Sequence, residues 1–365
     1  MKKSAYIVSV LLLAAFMATG CRSTQQAVCE HKGFSPDPAK EYLVGAAAWQ
    51  LSAEAHALMM QGFNIAKKNI SEAVSKADAG KEGYSWKKVN GSKRLYKDGK
   101  HVAVVCDIDD TLVDGVHYTA NIVGKNGEWT NKAFYDFVQS EGCTALPGAL
   151  DFTAHCVKNG VAIVYVTNRY DQGYKTNQAG YDGKTGYKKA DGTVIGSSAY
   201  DVFGKTAYDI SMESMNKLGF PLNSKDASNY YDAAILITND TKLKGSSKEK
   251  VRNAIAEGLE WSTGERSFES DRYPETVNFE KHHIAMLLGD DLNDISQIFS
   301  DKTKDAVSRV ELSIENMDKW GTEWIVFPNA VYGSSINFAA RYGIPALFDR
   351  FDYTVKENST WEMYK

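Results

Sequence analysis

The 365-residue chain has no basic stripe and no arginine-rich run, and its formal charge is −4. That removes the electrostatic footprint of a nucleic-acid binder. Cysteines are few: Cys21, Cys29, Cys106, Cys143 and Cys156. No close or regular spacing among them suggests a disulfide framework or a zinc site, and Cys106, closing an apolar run, reads as a small buried hydrophobe. A membrane span is also missing from the N-terminus. The apolar run from Ala5 to Met17 is too short and is flanked by Lys2-Lys3 and by small residues. What is left is ordinary globular composition, 43% hydrophobic and 24% charged, in a chain long enough for a sizeable core.

Residues 1–20 have the proportions of a secretory signal. Ending on Ala18-Thr19-Gly20 before Cys21, they look like a bacterial lipoprotein signal, although Ala18 stands where such signals usually carry Leu. That resemblance implies cleavage before Cys21, lipidation of that residue, export, and anchoring in the cell envelope, at the outer membrane of a diderm bacterium. The alternative is an ordinary secretory signal with an unrelated cysteine. Residues 21–36 read as a tether, and 37–365 as the folded domain.

Asp37-Pro38 is a helix-start signal. Leu51, Ala55, Leu58, Gly62, Ala66, Ile70 and Val74 then follow at helical spacing up to Gly80, giving one long amphipathic helix broken at most once. Lys97-Asp98-Gly99-Lys100 is a turn. Beyond it, short continuous apolar runs recur: "VAVVC" at 102, "VAIVYV" at 161, "AAILI" at 233, "IAMLL" at 284 and "WIVF" at 324. Runs without alternation indicate strands buried on both faces, and helix-like stretches (131–141, 248–257) separate some of them. The expected fold is α/β with a central parallel sheet and an N-terminal helical segment. Two insertions interrupt it. Residues 171–204 are Gly- and Tyr-rich with Asp182-Gly183 and Asp191-Gly192 turn pairs, either a β-hairpin leaning over the site or a solvated loop. Residues 261–283 are polar and aperiodic.

Ligands of such sheets bind at the carboxyl ends of the strands. There the chain places Asp107-Ile108-Asp109-Asp110, then Thr167-Asn168-Arg169, then the lysine-rich "KLKGSSKEKVR", then Gly289-Asp290-Asp291-Leu292-Asn293-Asp294. Concentrated carboxylates require a cation. Asp107 and Asp290 offer hard oxygen donors suited to Mg²⁺, which accepts a substrate phosphate. Asp107 could attack phosphorus to give an aspartyl-phosphate. Asp109, two residues on and facing the same edge, could protonate a departing alkoxide and then activate water. Thr167 and Lys248 would bind the transferring oxygens. A departing halide needs no proton, so Asp109 favours phosphate-ester hydrolysis over dehalogenation.

"DIDDT", "VTNR", the downstream lysine and "GDDLND" resemble the four motifs of the haloacid dehalogenase (HAD) superfamily. The likeness is greatest to its secreted class C acid phosphatases, and among them to the lipoprotein e type of 5′-nucleotidase. "AAAWQLSAEAHALMMQGFNIAK", "ALPGALDF" and "FPNAVYG" add to it. The resemblance implies a Rossmann-like core and Mg²⁺-dependent phosphomonoesterase activity, with nucleoside 5′-monophosphates as substrates, and a homodimer. Asp107 then matches the nucleophile and metal ligand, and Asp109 the acid/base whose backbone carbonyl also meets the metal. Thr167 and Asn168 match the phosphate-binding segment, Asp290 the second metal carboxylate, and Asp294 the last aspartate of the metal pattern. Lys248 fits the lysine best, with Lys244 and Lys250 as alternatives. Asp291 replaces the usual Asn, placing an extra carboxylate either beside the metal or toward solvent.

Asp110 is read as serving turn hydrogen bonds, and His117 as an incidental loop residue near the mouth. His282-His283 has no partner at metal-ligand spacing and is read as structural. Tyr332 and Trp129 are candidates for stacking on a substrate base, with core packing the rival for Tyr332. Two other functions stay open: a phosphotransferase of the same superfamily, and a non-catalytic haem- or solute-binding lipoprotein. A missing Asp109 or Asp290 would favour the latter, and both are present.

Overall fold

A computed structural model describes residues 41–125, 127, 129–169, 203–205, 207–222, 233–237, 248–258, 260–262, 276–278, 280–301 and 306–334. The signal, Cys21, the tether, the Asp37-Pro38 helix start, Lys244 and most of both insertions lie outside the described residues.

Two helices come first, α1 (Glu41–Gln50) and α2 (Ala53–Asp78). The break falls at Leu51-Ser52, where the Ser52 hydroxyl caps α2 by accepting the Ala55 amide at 3.1 Å. The buried stripe of α2 is Ala55, Met59, Phe63, Ala66, Ile70, Ala73 and Ala77. This corrects the expected stripe: Leu58 is exposed, Val74 is half-buried, and Gly62 only lets Phe327 come close. Both series have helical period. The one that wins carries the larger side chains, with Phe63 packed between Phe152 and Phe327 at centroid distances of 5.6 and 4.5 Å.

An antiparallel hairpin comes next, β1 (Tyr84–Val89) and β2 (Ser92–Lys97), turning at Asn90-Gly91. Asp98-Gly99 then turns β2 into β3 (Lys100–Cys106), as expected; both turns hold φ positive at both residues. The order continues β4 (Val113–Asp114), α3 (Val116–Gly124), α4 (Asn131–Gln139), β5 (Thr144–Ala145), α5 (Ala149–Lys158), β6 (Ala162–Thr167), α6 (Ala207–Leu218) and β7 (Ala233–Ile237). Then come α7 (Lys248–Glu257), β8 (Glu260–Ser262), β9 (Thr276–Asn278), β10 (His282–Gly289), α8 (Leu292–Ile295), α9 (Ala306–Glu315) and β11 (Trp324–Val326). Strands β8 and β9 pair antiparallel inside the second insertion.

All five apolar runs are strands of one sheet, in the parallel order β7-β6-β3-β10-β11. The β1–β2 hairpin joins antiparallel at the amino end of β3. Val102, Val104, Cys106, Ile163 and Tyr165 pack on one face with Phe63 of α2, Phe152 of α5 and Met215 of α6. Val105, Val164 and Val166 pack on the other with Val251, Ala254 and Ile255 of α7. Both faces are covered, which is why these runs do not alternate. From β3 the chain winds to β6 and β7 on one side and returns to β10 and β11 on the other. The junction of β3 and β10 is therefore a topological switch point. Cys106, Cys143 and Cys156 are free and buried. No described helix is long and apolar enough to cross a membrane.

Candidate active site

Asp107 comes directly after β3, and its amide still bonds across the switch point to the Leu288 carbonyl at 2.9 Å. That bond fixes the carboxylate at the crevice between β3 and β10. The chain then reverses tightly. Asp110 adopts a left-handed φ of 56°, and its carboxylate accepts the Gly115 amide at 2.9 Å and the Tyr332 hydroxyl. Asp110 is the turn organiser expected from the sequence.

Four other segments converge on Asp107. Lys248 opens α7 and is buried, its ammonium bonded to Asp107 Oδ1 and, at 2.7 Å, to Asp294 Oδ1. Of the two candidate lysines among the described residues it is the one in the site, since Lys250 is exposed on α7. Asp290, just past β10, accepts Thr111 Oγ1 at 3.1 Å and Asn329 Nδ2 at 2.7 Å. Asp294 accepts the Asp291 amide at 3.1 Å, and Gly289 leaves room for it: a Cβ there would lie 2.4 Å from Asp294 Cβ. Thr167 ends β6 buried, with Oγ1 accepting the Arg169 amide at 3.2 Å, while Asn168 is exposed.

The sequence alone assigns Arg169 no role. It binds Asp109 with both arms, Nε to Oδ2 at 2.9 Å and Nη2 to Oδ1 at 2.6 Å, and its Nη1 reaches Ser211 Oγ on α6 at 3.2 Å. Its position at the end of a buried strand, on the carboxylate edge, was the available signal. Thr111, Ser211 and Asn329 were missed as well. Thr111 closes "DIDDT" and Asn329 lies in "FPNAVYG", whereas Ser211 lies in no quoted motif.

Charge does not balance among the described residues of the site. Asp107, Asp290 and Asp294 share one ammonium, since Arg169 is taken by Asp109. Burial, opposed by Lys248 and then reinforced by Asp294, Asp290 and Asp109, holds the Asp107 carboxyl well above the usual range. Burial, then Asp294 and Asp110, push Asp290 up to about 8. Lys248 goes the other way: burial disfavours its charge, but Asp107 and Asp294 outweigh that and raise it. One oxygen from each of Asp107, Asp290 and Asp294 falls within 4.8 Å of the others. Hard oxygen donors with two uncompensated charges fit a divalent cation.

The extra carboxylate, Asp291, is half-buried and is taken up by hydrogen bonds within the protein. It caps α8, accepting the Asn293 amide at 2.9 Å, and accepts Ser334 Oγ at 2.7 Å. Tyr332 is 39% exposed with its hydroxyl held by Asp110, so its ring stands beside the carboxylates rather than in the core. Trp129 is 53% exposed and packs on Phe134, whose ring faces Arg169 at 5.7 Å. His117 is exposed, 3.7 Å from Asp114.

The family model for the HAD superfamily, subfamily IIIB (acid phosphatase), matches residues 31–192. That span holds Asp107, Asp109 and Thr167–Arg169. Two solved structures of the class C acid phosphatase from Bacillus anthracis, one with tungstate bound, are similar in fold. They are 21% and 20% identical, with TM-scores of 0.53 and 0.52, and each comparison covers 87% of this chain and 99% of the other.

Proposed function

We propose that this chain, whose residues 31–192 match the HAD subfamily IIIB acid phosphatase model, is an acid phosphatase of that superfamily, and that its site hydrolyses nucleoside 5′-monophosphates through a phosphoryl group carried on Asp107. The observation that carries the reading is the buried contact of Lys248 with both Asp107 and Asp294, beside Asp290, at the switch point of the sheet. A free Asp107 oxygen attacks phosphorus, and the bond from phosphorus to the ester oxygen breaks. Asp109 gives its proton to the departing alkoxide. It then takes a proton from water as that water attacks the acyl phosphate, releasing phosphate and restoring Asp107. Both Asp109 oxygens are held by Arg169 in the structure, so one of those bonds opens for each proton transfer. Lys248, Thr167 and Asn168 meet the transferring oxygens. Mg²⁺, held by Asp107, Asp290, Asp294 and the Asp109 carbonyl, would neutralise phosphoryl charge when bound.

Tyr332 and Trp129, exposed beside the carboxylate edge, supply the aromatic faces on which a base could stack. The lipoprotein-like signal supports a lipid anchor on Cys21 in the cell envelope, so Cys21→Ser should release the enzyme from membranes at unchanged specific activity. The deciding test is phosphate release from mononucleotides and from non-nucleotide esters, with and without Mg²⁺. Equal rates on glycerol phosphate would remove the nucleotide assignment. Activity surviving exhaustive chelation would remove the metal.

A further inference from the structure

A second cluster lies at the opposite edge of the same sheet. His101, near the start of β3, pairs in register with His282 at the start of β10, and Glu280 precedes β10 by two residues. Five residues separate His101 from Asp107, so the cluster is roughly 20 Å from the carboxylate site at about 3.3 Å per residue.

We propose that His101, Glu280 and His282 form a second metal site, for a borderline transition ion such as Zn²⁺, that ties β3 to β10. His101 is fully buried, and its Nε2 lies 3.0 Å from the Gly160 carbonyl. That oxygen can only accept, so Nε2 carries the hydrogen and a neutral ring presents its lone pair at Nδ1. Nδ1 faces Glu280 Oε1 at 3.1 Å, and neither atom makes a hydrogen bond of good geometry. Two acceptors meeting out of water need a cation between them, either a proton or a metal ion.

The spacing suits a metal ion. One donor atom from each of the three residues lies within 4.8 Å of the others. Zinc bonds of about 2.0–2.2 Å at tetrahedral angles put donors roughly 3.3 Å apart. The surroundings suit it too. Metal-binding histidines commonly give their other N–H to a backbone carbonyl, as His101 gives Nε2–H to Gly160, and ligating carboxylates are themselves hydrogen-bonded. Here the Tyr96 hydroxyl donates to Glu280 Oε2 at 3.3 Å. His282 is buried, which favours its neutral, ligating form. Arg94 Nη1 stands 3.9 Å from Glu280 Oε1, beyond hydrogen-bond reach, so it offsets charge without filling the gap between donors. Glu280 is 33% exposed and gives the ion a way in.

The test uses the full chain, stripped with chelator and then held in excess Mg²⁺ to fill the carboxylate site, with Zn²⁺ added by equilibrium dialysis. One tightly held zinc per chain and a rise in Tm are expected. Glu280→Gln should bind zinc at least about 100-fold more weakly while keeping its Mg²⁺-dependent phosphatase rate. His282→Gln serves as the second variant, read by zinc content and Tm. No zinc retained by the parent chain would overturn the site and leave a proton on His101 as the shared cation. Zinc affinity in Glu280→Gln and His282→Gln equal to that of the parent chain would overturn it as well.

Discussion

Arg169 grips Asp109 through both carboxylate oxygens, at 2.9 and 2.6 Å, while Ser211 on α6 steadies a third guanidinium nitrogen. The orientation of Asp109 is thus set by β6 and α6 as much as by its own loop. A planar fork does this and a single ammonium cannot. Arg169→Lys should lower kcat by about 10- to 100-fold with KM little changed, a fraction of the 10²–10⁴-fold that general acid/base catalysis supplies. In Asp109→Asn the same Arg169→Lys change should add little, because the two residues act as a unit. Full kcat in Arg169→Lys would show that the pair is only structural.

Metal removal should change how stability depends on pH. Burial and neighbouring carboxylates raise Asp290 to about 8, and Asp107 well above its usual range. In the unfolded chain such groups ionise near 4. Between those values the folded, metal-free protein binds more protons than the unfolded one, so its stability falls as pH rises from about 4 to about 8. Chemical denaturation of chelated protein at a series of pH values should show that decline, and Mg²⁺ should raise Tm most at the alkaline end. A flat profile without metal would mean that the three carboxylates are not competing for one ammonium.

The strands and the carboxylate edge were legible in the sequence for one reason. A strand buried on both faces must be continuously apolar, and the first polar residue after it must lie at the sheet's end. That rule located Asp107, Thr167 and Asp290 without coordinates. It could not locate Arg169's partner, because a salt bridge across 60 positions leaves no local pattern. The face of α2 was misjudged because Leu58 and Met59 both fit a 3.6-residue period, and only the packing of Phe63 against Phe327 chooses between them. The β1–β2 hairpin has its local signal in Asn90-Gly91, where φ is positive at both residues. Near His282 the sequence offers no ligand partner at metal spacing; His101, far earlier in the sequence, is its register partner in the sheet.

Gly289 tests how tightly β10 must approach α8. A methyl group at this position would lie 2.4 Å from Asp294 Cβ and 2.8 Å from Asp294 Oδ2, the oxygen that accepts the Asp291 amide. Gly289→Ala should therefore push Asp294 away from Lys248. The expected loss is at least tenfold in kcat, with a drop in Tm of a few degrees for an overpacking cost of about 1–3 kcal/mol. Unchanged Mg²⁺ affinity and rate would show that Asp294 is not needed where it stands.

The proposed nucleotide preference is tested at Tyr332. Phosphate and a metal would hold any monoester, so preference for nucleotides requires a contact beyond the reacting group. The ring of Tyr332 is partly exposed while its hydroxyl is fixed to Asp110, which gives a stacking face with little freedom to lose. Stacking a base on an aromatic ring is worth about 1–3 kcal/mol and tolerates every base. Tyr332→Ala should lower kcat/KM for purine and pyrimidine monophosphates by roughly five- to a hundredfold from that energy range, and leave glycerol phosphate nearly untouched. Tyr332→Phe separates the two jobs of the side chain, keeping the ring and deleting the bond to Asp110. If stacking is its role, Phe should retain most of the nucleotide preference. If Phe and Ala lose activity equally on both substrate types, the hydroxyl's hold on the Asp110 turn is what matters. If neither substitution changes anything, the stacking face moves to Trp129.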